Sequence, residues 1–188
     1  FSATFSDDIR KLAKTIVKNP VELSVAPRNT TAERIEQVVY AVERTQKPQV
    51  LMQILRQLHT PQVIVFSRTK HGANRLVKQL HSGGFLAAAI HGNKSQGART
   101  KALAEFKSGQ IQVLVATDIA ARGLDIDKLP YVINFDLPQV AEDYVHRIGR
   151  TGRAGQAGQA ISLVTHDDVK TLKAIEKLIG KKIDRRTL

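Results

Sequence analysis

The chain has 188 residues, with 29 lysines and arginines against 17 aspartates and glutamates, and a formal net charge of +12. This length suffices for one domain with its own core, and the basic excess predicts a polyanionic partner, with nucleic acid favoured over membranes and acidic proteins. The chain contains no cysteine, which excludes a disulfide framework and a thiolate zinc site and fits a reducing, cytoplasmic compartment. The longest wholly apolar run, Phe85 to Ile90, is too short to span a bilayer.

The first segment is predicted to be a helix that stands apart from the rest of the chain. Apolar residues at helical spacing follow Ser6, a possible N-cap: Ile9, Leu12, Ala13, Ile16 and Val17. Asn19-Pro20 ends this pattern, and the polar stretch 26–31 has the composition of a linker. The first residue is not Met, so we expect the chain to be cut from a longer protein. We assign residues 1–27 to the tail of a preceding domain and the start of a linker, and residues 28–188 to the next domain.

Short apolar runs alternate with helical patterns along the rest of the chain. Strands are predicted at Ile35–Val42, Gln62–Ser67, Leu86–His91, Gln112–Ala116, Tyr131–Phe135 and Ala160–Thr165. Apolar stripes at helical spacing begin at Val50, Leu76, Ala102 and Val169, the last after Asp167 as a possible N-cap. This alternation predicts an α/β fold with three layers, in which a parallel sheet carries helices on both faces. Ligands of such sheets bind at the carboxyl ends of the strands.

Two of the predicted strands end in loops that carry cationic and hydroxyl groups. Phe66-Ser67-Arg68-Thr69-Lys70-His71 ends one strand, and residues 91–99, His-Gly-Asn-Lys-Ser-Gln-Gly-Ala-Arg, follow another. Ser95 could cap a helix that carries Gln96 and Arg99, and the free N–H groups of that helix would favour an anion. The alternative for both loops is an ordinary solvated turn or helix start.

Residues 117–125, Thr-Asp-Ile-Ala-Ala-Arg-Gly-Leu-Asp, follow a third apolar strand directly. Thr117 offers a hydroxyl, Gly123 an approachable backbone and Asp125 an acceptor suited to a ribose hydroxyl. The structural alternative is a turn that Asp118 caps and that a helix follows.

The segment His146–Arg153 is the most informative in the chain. Its arginines recur at every third position, at 147, 150 and 153, with Gly149 and Gly152 between them. A guanidinium is permanently charged and fits phosphate oxygens in two-point geometry, so the segment is suited to grasp a polyphosphate. The chain nevertheless has no Gly-x-x-x-x-Gly-Lys-Ser/Thr loop to hold the rest of a nucleotide, and its histidines and carboxylates show no metal spacing.

Together, and in this order, the four motifs resemble the second RecA-like domain of DEAD-box RNA helicases. They are Phe-Ser-Arg-Thr, His-Gly-x-x-Ser-Gln-x-x-Arg, Ala-Thr-Asp-Ile-Ala-Ala-Arg-Gly-Leu-Asp and His-Arg-Ile-Gly-Arg-Thr-Gly-Arg. Ser2-Ala3-Thr4 is similar to the motif that closes the first domain of that family. The segments around residues 91–99 look most like the bacterial RhlE-type branch.

The resemblance implies a role for each matching residue. Arg150 and Arg153 would be finger arginines that reach the γ-phosphate of ATP, and Gly123 and Asp125 would contact the nucleotide and its ribose. His146 and Arg147 would tie this motif to its surroundings across the domain cleft, and Ser2 and Thr4 would couple hydrolysis to unwinding. The RNA-backbone group or its support would comprise Arg68, Thr69, Gly92, Gln96, Arg99, Thr117 and Asp118.

The resemblance also implies which ligands and domains the chain works with, and that the chain alone lacks part of the ATP site. ATP with Mg²⁺ would be held mainly by an N-terminal RecA-like domain, and RNA would be bound through phosphate and sugar with little sequence preference. The phosphate loop and the Asp-Glu-Ala-Asp motif are absent from the chain, so we expect the chain alone not to hydrolyse ATP. Two alternatives stay open: a basic module that binds RNA or a partner without enzymatic activity, and a motor domain of a DNA helicase or translocase.

Overall fold

Seven parallel strands form the centre of the computed structural model, which describes residues 7–17, 35–58, 60, 62–126, 128–152 and 158–187. The strands are β1 (Ile35–Ala41), β2 (Val63–Phe66), β3 (Ala87–Ile90), β4 (Val113–Ala116), β5 (Tyr131–Asn134), β6 (Gly158–Val164) and β7 (Asp184–Arg186). Their order across the sheet is β3-β4-β2-β5-β6-β1-β7, and every pairing is parallel. A parallel pair requires a crossover connection, which explains why helices separate most of these strands in sequence.

The described helices are α1 (Asp7–Ile16), α2 (Lys47–Gln57), α3 (Lys70–Ser82), α4 (Gln96–Lys107), α5 (Asp118–Ala121), α6 (Ala141–Ile148) and α7 (Val169–Ile179). A short 3₁₀ turn, His166–Asp168, precedes α7. Helix α1 exposes its apolar residues Leu12, Ile16 and Val17 to 58%, 72% and 49%. Burial of an apolar face is what usually stabilises a helix in a protein, so this face of α1 is left for another surface to cover.

The core lies on both faces of the sheet because side chains alternate along each strand. In β2, Val63 and Val65 pack in one cluster with residues of α2 and α3, and Ile64 and Phe66 pack in another with α4 and α5. A third cluster buries the apolar sides of α6 and α7 against β1 and β6. The predicted three-layer arrangement with helices on both faces is thus confirmed.

A row of buried polar side chains crosses the sheet face that α6 covers. Asn134 donates to Ser162 at 3.1 Å, and the Tyr144 hydroxyl donates to Gln37 at 3.0 Å. All four of these side chains are at most 5% exposed, and burial raises the pKa of Tyr144. Buried polar groups must find partners in the fold, so this row fixes the position of α6 relative to β5, β6 and β1.

The carboxyl-terminal part of the domain differs from the sequence-based expectation in two places. The basic composition of residues 181–186 is typical of a solvated tail, but Asp184–Arg186 pairs with β1 as the edge strand β7. Asp167 was expected to cap the last helix, but it is Asp168 that forms a capping box with Thr165. The carboxylate of Asp168 accepts from the Thr165 backbone N–H at 3.0 Å and from the Thr165 hydroxyl at 2.8 Å.

Candidate functional site

The predicted loops meet along one edge of the sheet, because the carboxyl ends of parallel strands share that edge. From β3 to β6, in sheet order, this edge presents residues 91–99, residues 117–125, residues 67–70, residues 135–137 and residues 165–168. The segment around Arg147 and Arg150 lies next to it at the end of α6. Polar groups from distant parts of the sequence therefore share one surface, as the strand pattern predicted.

Arg147 is the buried centre of this edge, with 2% of its surface exposed. Its Nε and Nη2 donate to both carboxylate oxygens of Asp118, at 2.6 and 2.8 Å. Its Nη1 donates to Asn134 Oδ1 at 3.1 Å and to the Asp136 carbonyl at 2.6 Å, and its guanidinium carbon lies 4.9 Å from the centre of the Phe66 ring. The buried charge of Arg147 is tolerated because it forms a two-point pair with Asp118 and its remaining donor is also hydrogen-bonded.

Asp118 therefore does not cap the short helix that begins there, so the structural alternative offered for this loop is wrong in its detail. Thr117 occupies the cap position of α5 without a side-chain hydrogen bond. The carboxylate of Asp118 instead holds Arg147, which joins the end of β4 to α6.

Arg150 lines a shallow cleft of about 230 Å³ including its open mouth, which Asp118, Arg122, His146 and Arg147 also line. Its Nη1 donates to the Leu124 carbonyl at 3.0 Å, so the predicted finger contacts the loop that carries Gly123 and Asp125. The cleft brings together two of the predicted coupling residues, one predicted RNA-group residue and one predicted catalytic arginine.

The backbone on both sides of Arg150 is fixed by hydrogen bonds, and we call residues 147–151 the arginine mount. The Arg150 N–H donates to the Arg147 carbonyl at 3.2 Å, and the Arg150 carbonyl accepts from the Leu129 N–H at 3.0 Å. Thr151 is fully buried, and its hydroxyl donates to the Leu129 carbonyl. Gly152 follows with a φ of 66°, and a Cβ there would lie 2.7 Å from Ile35 Cγ1, so a side chain is excluded on both grounds.

Gly123 and Asp125 are exposed beside the mount. Gly123 has a φ of 75°, which favours glycine and leaves its backbone open to a ligand. The Asp125 carboxylate accepts from Lys107 Nζ at 2.8 Å, and this hydrogen bond lowers the pKa of Asp125. Asp125 is therefore ionised at neutral pH and is an acceptor, as a ribose contact requires.

Arg68 and Thr69 follow β2, where a charge network that sequence reasoning missed holds Arg68 in place. Its Nη2 lies 3.2 Å from Asp168 Oδ1, and its backbone N–H donates to Asp136 Oδ2 at 3.0 Å. The buried Lys47 completes the network, with its Nζ 3.5 Å from Asp136 Oδ1 and 3.6 Å from Asp168 Oδ2.

Burial alone would raise the pKa of Asp168, but the hydrogen bonds from Thr165 and the charges of Lys47 and Arg68 lower it.

Within this charge network, only Asp136 gave a usable sequence signal, since it directly follows a predicted strand. Lys47 stands at a helix start, where a lysine is ordinarily solvated.

Thr69 and Ser95 each cap a helix at this edge. The Thr69 hydroxyl accepts from the Gly72 N–H at 2.9 Å, and the Ser95 hydroxyl accepts from the Ala98 N–H at 3.2 Å. The predicted cap at Ser95 is thus confirmed. Gly92 and Gln96 are exposed on either side of it, and Arg99 is half-buried with its Nη2 3.4 Å from the Ala120 carbonyl.

His91 lies between these loops and is buried. Its Nε2 lies 2.9 Å from Asn74 Oδ1. Burial lowers the pKa of His91, and the nearby Lys94, Lys70 and His71 lower it further. The ring is therefore neutral at physiological pH, and the positive charge at this end of the edge comes from lysines and arginines.

Three of the predicted site residues, Ser2, Thr4 and Arg153, lie outside the described residues. Within the part of the chain that the structure describes, His, Asp and Glu form no group of three that could hold a metal ion. None of the described helices combines the length and apolar character needed to cross a membrane.

Comparisons with known proteins show the family to which the chain belongs. The family described as "Helicase conserved C-terminal domain" matches residues 46–155. In structure, the chain is similar to the Escherichia coli DEAD-box protein SrmB, solved bound to regulator of ribonuclease activity A (RraA), with 37% identity, a TM-score of 0.75, and coverage of 82% of this chain and 91% of that one. The chain belongs to the DEAD-box helicases, as their C-terminal domain.

Two further comparisons extend this result. Saccharomyces cerevisiae Dbp5 bound to RNA and ADP BeF3 is 35% identical with a TM-score of 0.90, over 100% of this chain and 50% of that one. The ATP-dependent RNA helicase RhlB of Pseudomonas putida is 45% identical over 183 residues, which are 97% of this chain and 46% of RhlB. This helicase domain thus spans about half the length of that curated relative. The predicted RecA-like fold is confirmed by the likeness to Dbp5 over the whole chain.

Proposed function

We propose that this chain is the carboxyl-terminal motor domain of an ATP-dependent RNA helicase, which binds single-stranded RNA and acts on ATP that a preceding domain holds. The observation that carries the proposal is the similarity of the whole chain, with a TM-score of 0.90, to Dbp5 in a structure bound to RNA and ADP BeF3. The geometry supports it, because the described residues that are matched to the two ligands lie along one edge of the sheet.

On the nucleotide side, the described groups fit the outer part of a polyphosphate and its ribose. Arg150 supplies a guanidinium at the cleft, Gly123 an open backbone and Asp125 an ionised acceptor. The cleft is shallow and the chain has no phosphate loop, which agrees with ATP and Mg²⁺ being held mainly by an N-terminal RecA-like domain. Arg153, matched to the second finger, belongs to the same proposal.

On the RNA side, the proposed backbone group is spread over the ends of β2, β3 and β4. Arg68, Thr69, Gly92, Gln96 and Arg99 would contact phosphate and sugar. Asp118 would act through Arg147, which it holds, and Thr117 begins the same short helix. The scarcity of aromatic residues, 5% of the chain, favours contact with phosphate over base stacking and hence low sequence preference.

The remaining assignments concern the link to the preceding domain. Residues 1–27 would be the tail of that domain and the start of the linker, with Ser2 and Thr4 coupling hydrolysis to unwinding and His146 and Arg147 contributing from this side. The exposed apolar face of α1 supports this division. A cytoplasmic location and membership of the RhlE-type branch stay predictions from the sequence, and the relative described above is an RhlB.

Replacement of Arg150 tests the proposal in the full-length protein. We expect Arg150→Ala to lower kcat for RNA-stimulated ATP hydrolysis by about 10³- to 10⁵-fold, since a finger arginine stabilises charge that develops on the transferred phosphoryl group. RNA binding should change little. The measurement is steady-state hydrolysis with saturating ATP and RNA, and this chain alone should show no RNA-stimulated hydrolysis.

Arg75→Ala is the matched control, because Arg75 is an exposed arginine on α3, away from the cleft. Near-normal turnover of Arg150→Ala would remove Arg150 from the catalytic group. Equal stimulation of the intact protein by DNA and RNA would favour a DNA translocase, and RNA-dependent turnover by this chain alone would contradict the division between two domains.

A further inference from the structure

The outer edge of β3 lies open between two helices, far along the sheet from β7. Among the described strands, β3 pairs only with β4. Asn74 and Val77 of α3 stand on one side of its free edge, and Ala98 and Lys101 of α4 stand on the other. They enclose a groove of about 640 Å³ including its open mouth, with Ala87–Ala89 as its floor. We call it the edge groove.

The backbone of β3 directs hydrogen-bonding groups into the edge groove. The Leu86 and Ile90 carbonyls accept from the β4 side, from the Val113 N–H at 3.0 Å and the Thr117 N–H at 3.2 Å. Because the direction alternates along a strand, the polar groups of Ala87 and Ala89 point away from β4. The Ala87 carbonyl is occupied by His81 Nε2 at 2.7 Å. The N–H and carbonyl of Ala89 face the groove, and no other described residue pairs with them.

The edge is short, at four residues, but it lacks three other features that prevent strand addition. Its sequence, Ala-Ala-Ala-Ile, contains no charge and no proline, and its pairing with β4 is continuous without a bulge. The alanine side chains are small, so a second backbone can approach. Leu86, directly before the strand, is 63% exposed and offers an apolar contact for an incoming side chain.

The mouth of the edge groove is positively charged. Lys94 and Lys101 line it, and the one carboxylate among its lining residues, Glu105, lies 3.7 Å from Lys101 Nζ. Lys101 is 76% exposed, so solvent screens this pair and both lysines attract an acidic ligand. A nucleic acid fits less well, because the Ala89 carbonyl is an acceptor and repels phosphate oxygens.

We propose that the edge groove binds an extended, acidic segment of a partner protein, which pairs with β3 as an additional strand. Main-chain hydrogen bonds to Ala89 would supply the pairing, and the two lysines would select acidic side chains. The groove shares Lys94 and Ala98 with the segment 91–99, but it contains neither Arg147 nor Arg150. The inference therefore does not depend on the proposed catalytic role.

A peptide selection on this chain tests the proposal. The probe is a random dodecapeptide library displayed on phage, followed by synthetic copies of the enriched peptides. We expect acidic peptides with alternating apolar residues to be enriched, and the hydrogen exchange of the Ala89 amide to slow at least about tenfold at saturation, as it does when an amide enters a ladder.

Variants separate backbone pairing from charge. Ala89→Pro removes an outward N–H that the native sheet does not use, so the fold should persist in circular dichroism while the peptides bind about tenfold more weakly. Lys94→Glu with Lys101→Glu should weaken binding at least about tenfold, and the loss should shrink at high salt. Lys177→Glu, an exposed reversal on α7, is the matched control and should leave binding unchanged.

Four outcomes would overturn the proposal. The first two are a selection without enrichment above background and enriched peptides that leave the hydrogen exchange of the Ala89 amide unaltered. The third is slower exchange of Ala89 with a 12-nucleotide RNA instead of with peptide. The fourth is exchange of Ala89 that slows without peptide as the concentration of the chain rises. The last would replace the partner by a second copy of this chain. If Ala89→Pro fails to fold, the exchange of Ala89 in the unmodified chain decides.

Discussion

At the scale of single residues, two arginines form pairs of similar length in opposite surroundings. Arg147 Nε lies 2.6 Å from Asp118 and only 1% of its side chain is exposed, whereas Arg122 Nη2 lies 2.7 Å from Asp143 with 65% of its side chain exposed. A buried charge has lost its hydration and is stabilised only by its protein partners, whereas an exposed charge is stabilised by water. Burial, and not distance, should therefore decide what each pair contributes to the free energy of unfolding.

The two arginines can be compared by replacing each with alanine in this chain. We expect Arg147→Ala to lower the free energy of unfolding by about 3–5 kcal/mol, because it leaves Asp118 and the Asp136 carbonyl without their donor. Arg122→Ala should cost less than about 1 kcal/mol. Urea unfolding followed by circular dichroism measures both. Equal losses in the two variants would show that the pair with Asp118 contributes through something other than burial.

The residue scale is also where the sequence was least informative. The spacing of the three arginines identified the segment, but nothing in the spacing tells a buried guanidinium from an exposed one. The burial of Arg147 depends on Asp118 and Asn134, which are 29 and 13 residues away and reach it only through the fold. The buried Lys47 was missed for the same reason, since its partners Asp136 and Asp168 follow strands at the far end of the sequence.

At the scale of elements, a single carboxylate holds β7 against α7. The Glu176 side chain is 3% exposed, and its Oε1 accepts from the Ile183 N–H at 3.0 Å and from Arg185 at 2.9 Å. Its Oε2 accepts from Lys182 at 3.2 Å. Burial alone would raise the pKa of Glu176, but the hydrogen bonds from Arg185, the Ile183 N–H and Lys182 lower it to about 2.

The stability that Glu176 provides should therefore depend on pH. A carboxyl group with a folded pKa of about 2 against an ordinary value of 4.5 stabilises the fold fully above pH 4.5, and this contribution is lost as pH falls toward 2. We expect the difference in unfolding free energy between the native chain and Glu176→Gln to be constant from pH 7 to 5 and to shrink below 4.5.

Urea unfolding at each pH measures this difference. Glu36→Gln serves as the control, because Glu36 pairs with Arg186 while its own side chain is 56% exposed. A difference between native chain and Glu176→Gln that does not change from pH 7 to 3 would contradict the assignment.

The same elements show why the sequence predicted most of the sheet but not its last strand. β2, β4 and β5 are short runs in which at least half of the residues are β-branched, and burial on both faces makes such runs recognisable. β7 is Asp-Arg-Arg, with all three residues exposed, and its local composition is typical of a solvated tail. It is a strand because Glu176 and β1 hold it, and both contacts are tertiary.

At the scale of the whole molecule, a net charge of +12 governs how the domain meets a polyanion. We expect this chain to bind single-stranded RNA weakly, with an affinity that falls as salt rises, since each phosphate contact releases counterions. Arg99→Ala should lower the slope of log K against log salt by about 0.7, the contribution of one contact to a single strand.

Fluorescence anisotropy with labelled RNA at several salt concentrations measures that slope. Arg75→Ala, which removes the same charge from the exposed surface of α3, should shift affinity slightly and leave the slope unchanged. If Arg99→Ala leaves both affinity and slope unaltered, Arg99 is not a phosphate contact.

The arginine mount has a mechanical consequence for the whole domain. The Arg150 N–H is bonded to Arg147 and its carbonyl to Leu129, so any change in its reach must come from the side chain, which itself donates to the Leu124 carbonyl. In the proposed finger role, the backbone ordering that a flexible loop would undergo on meeting its ligand is already complete when the domain folds. In that proposed role, the backbone of Arg150 moves toward or away from a phosphate on another domain only together with the sheet, and rotation of the side chain supplies the remaining adjustment.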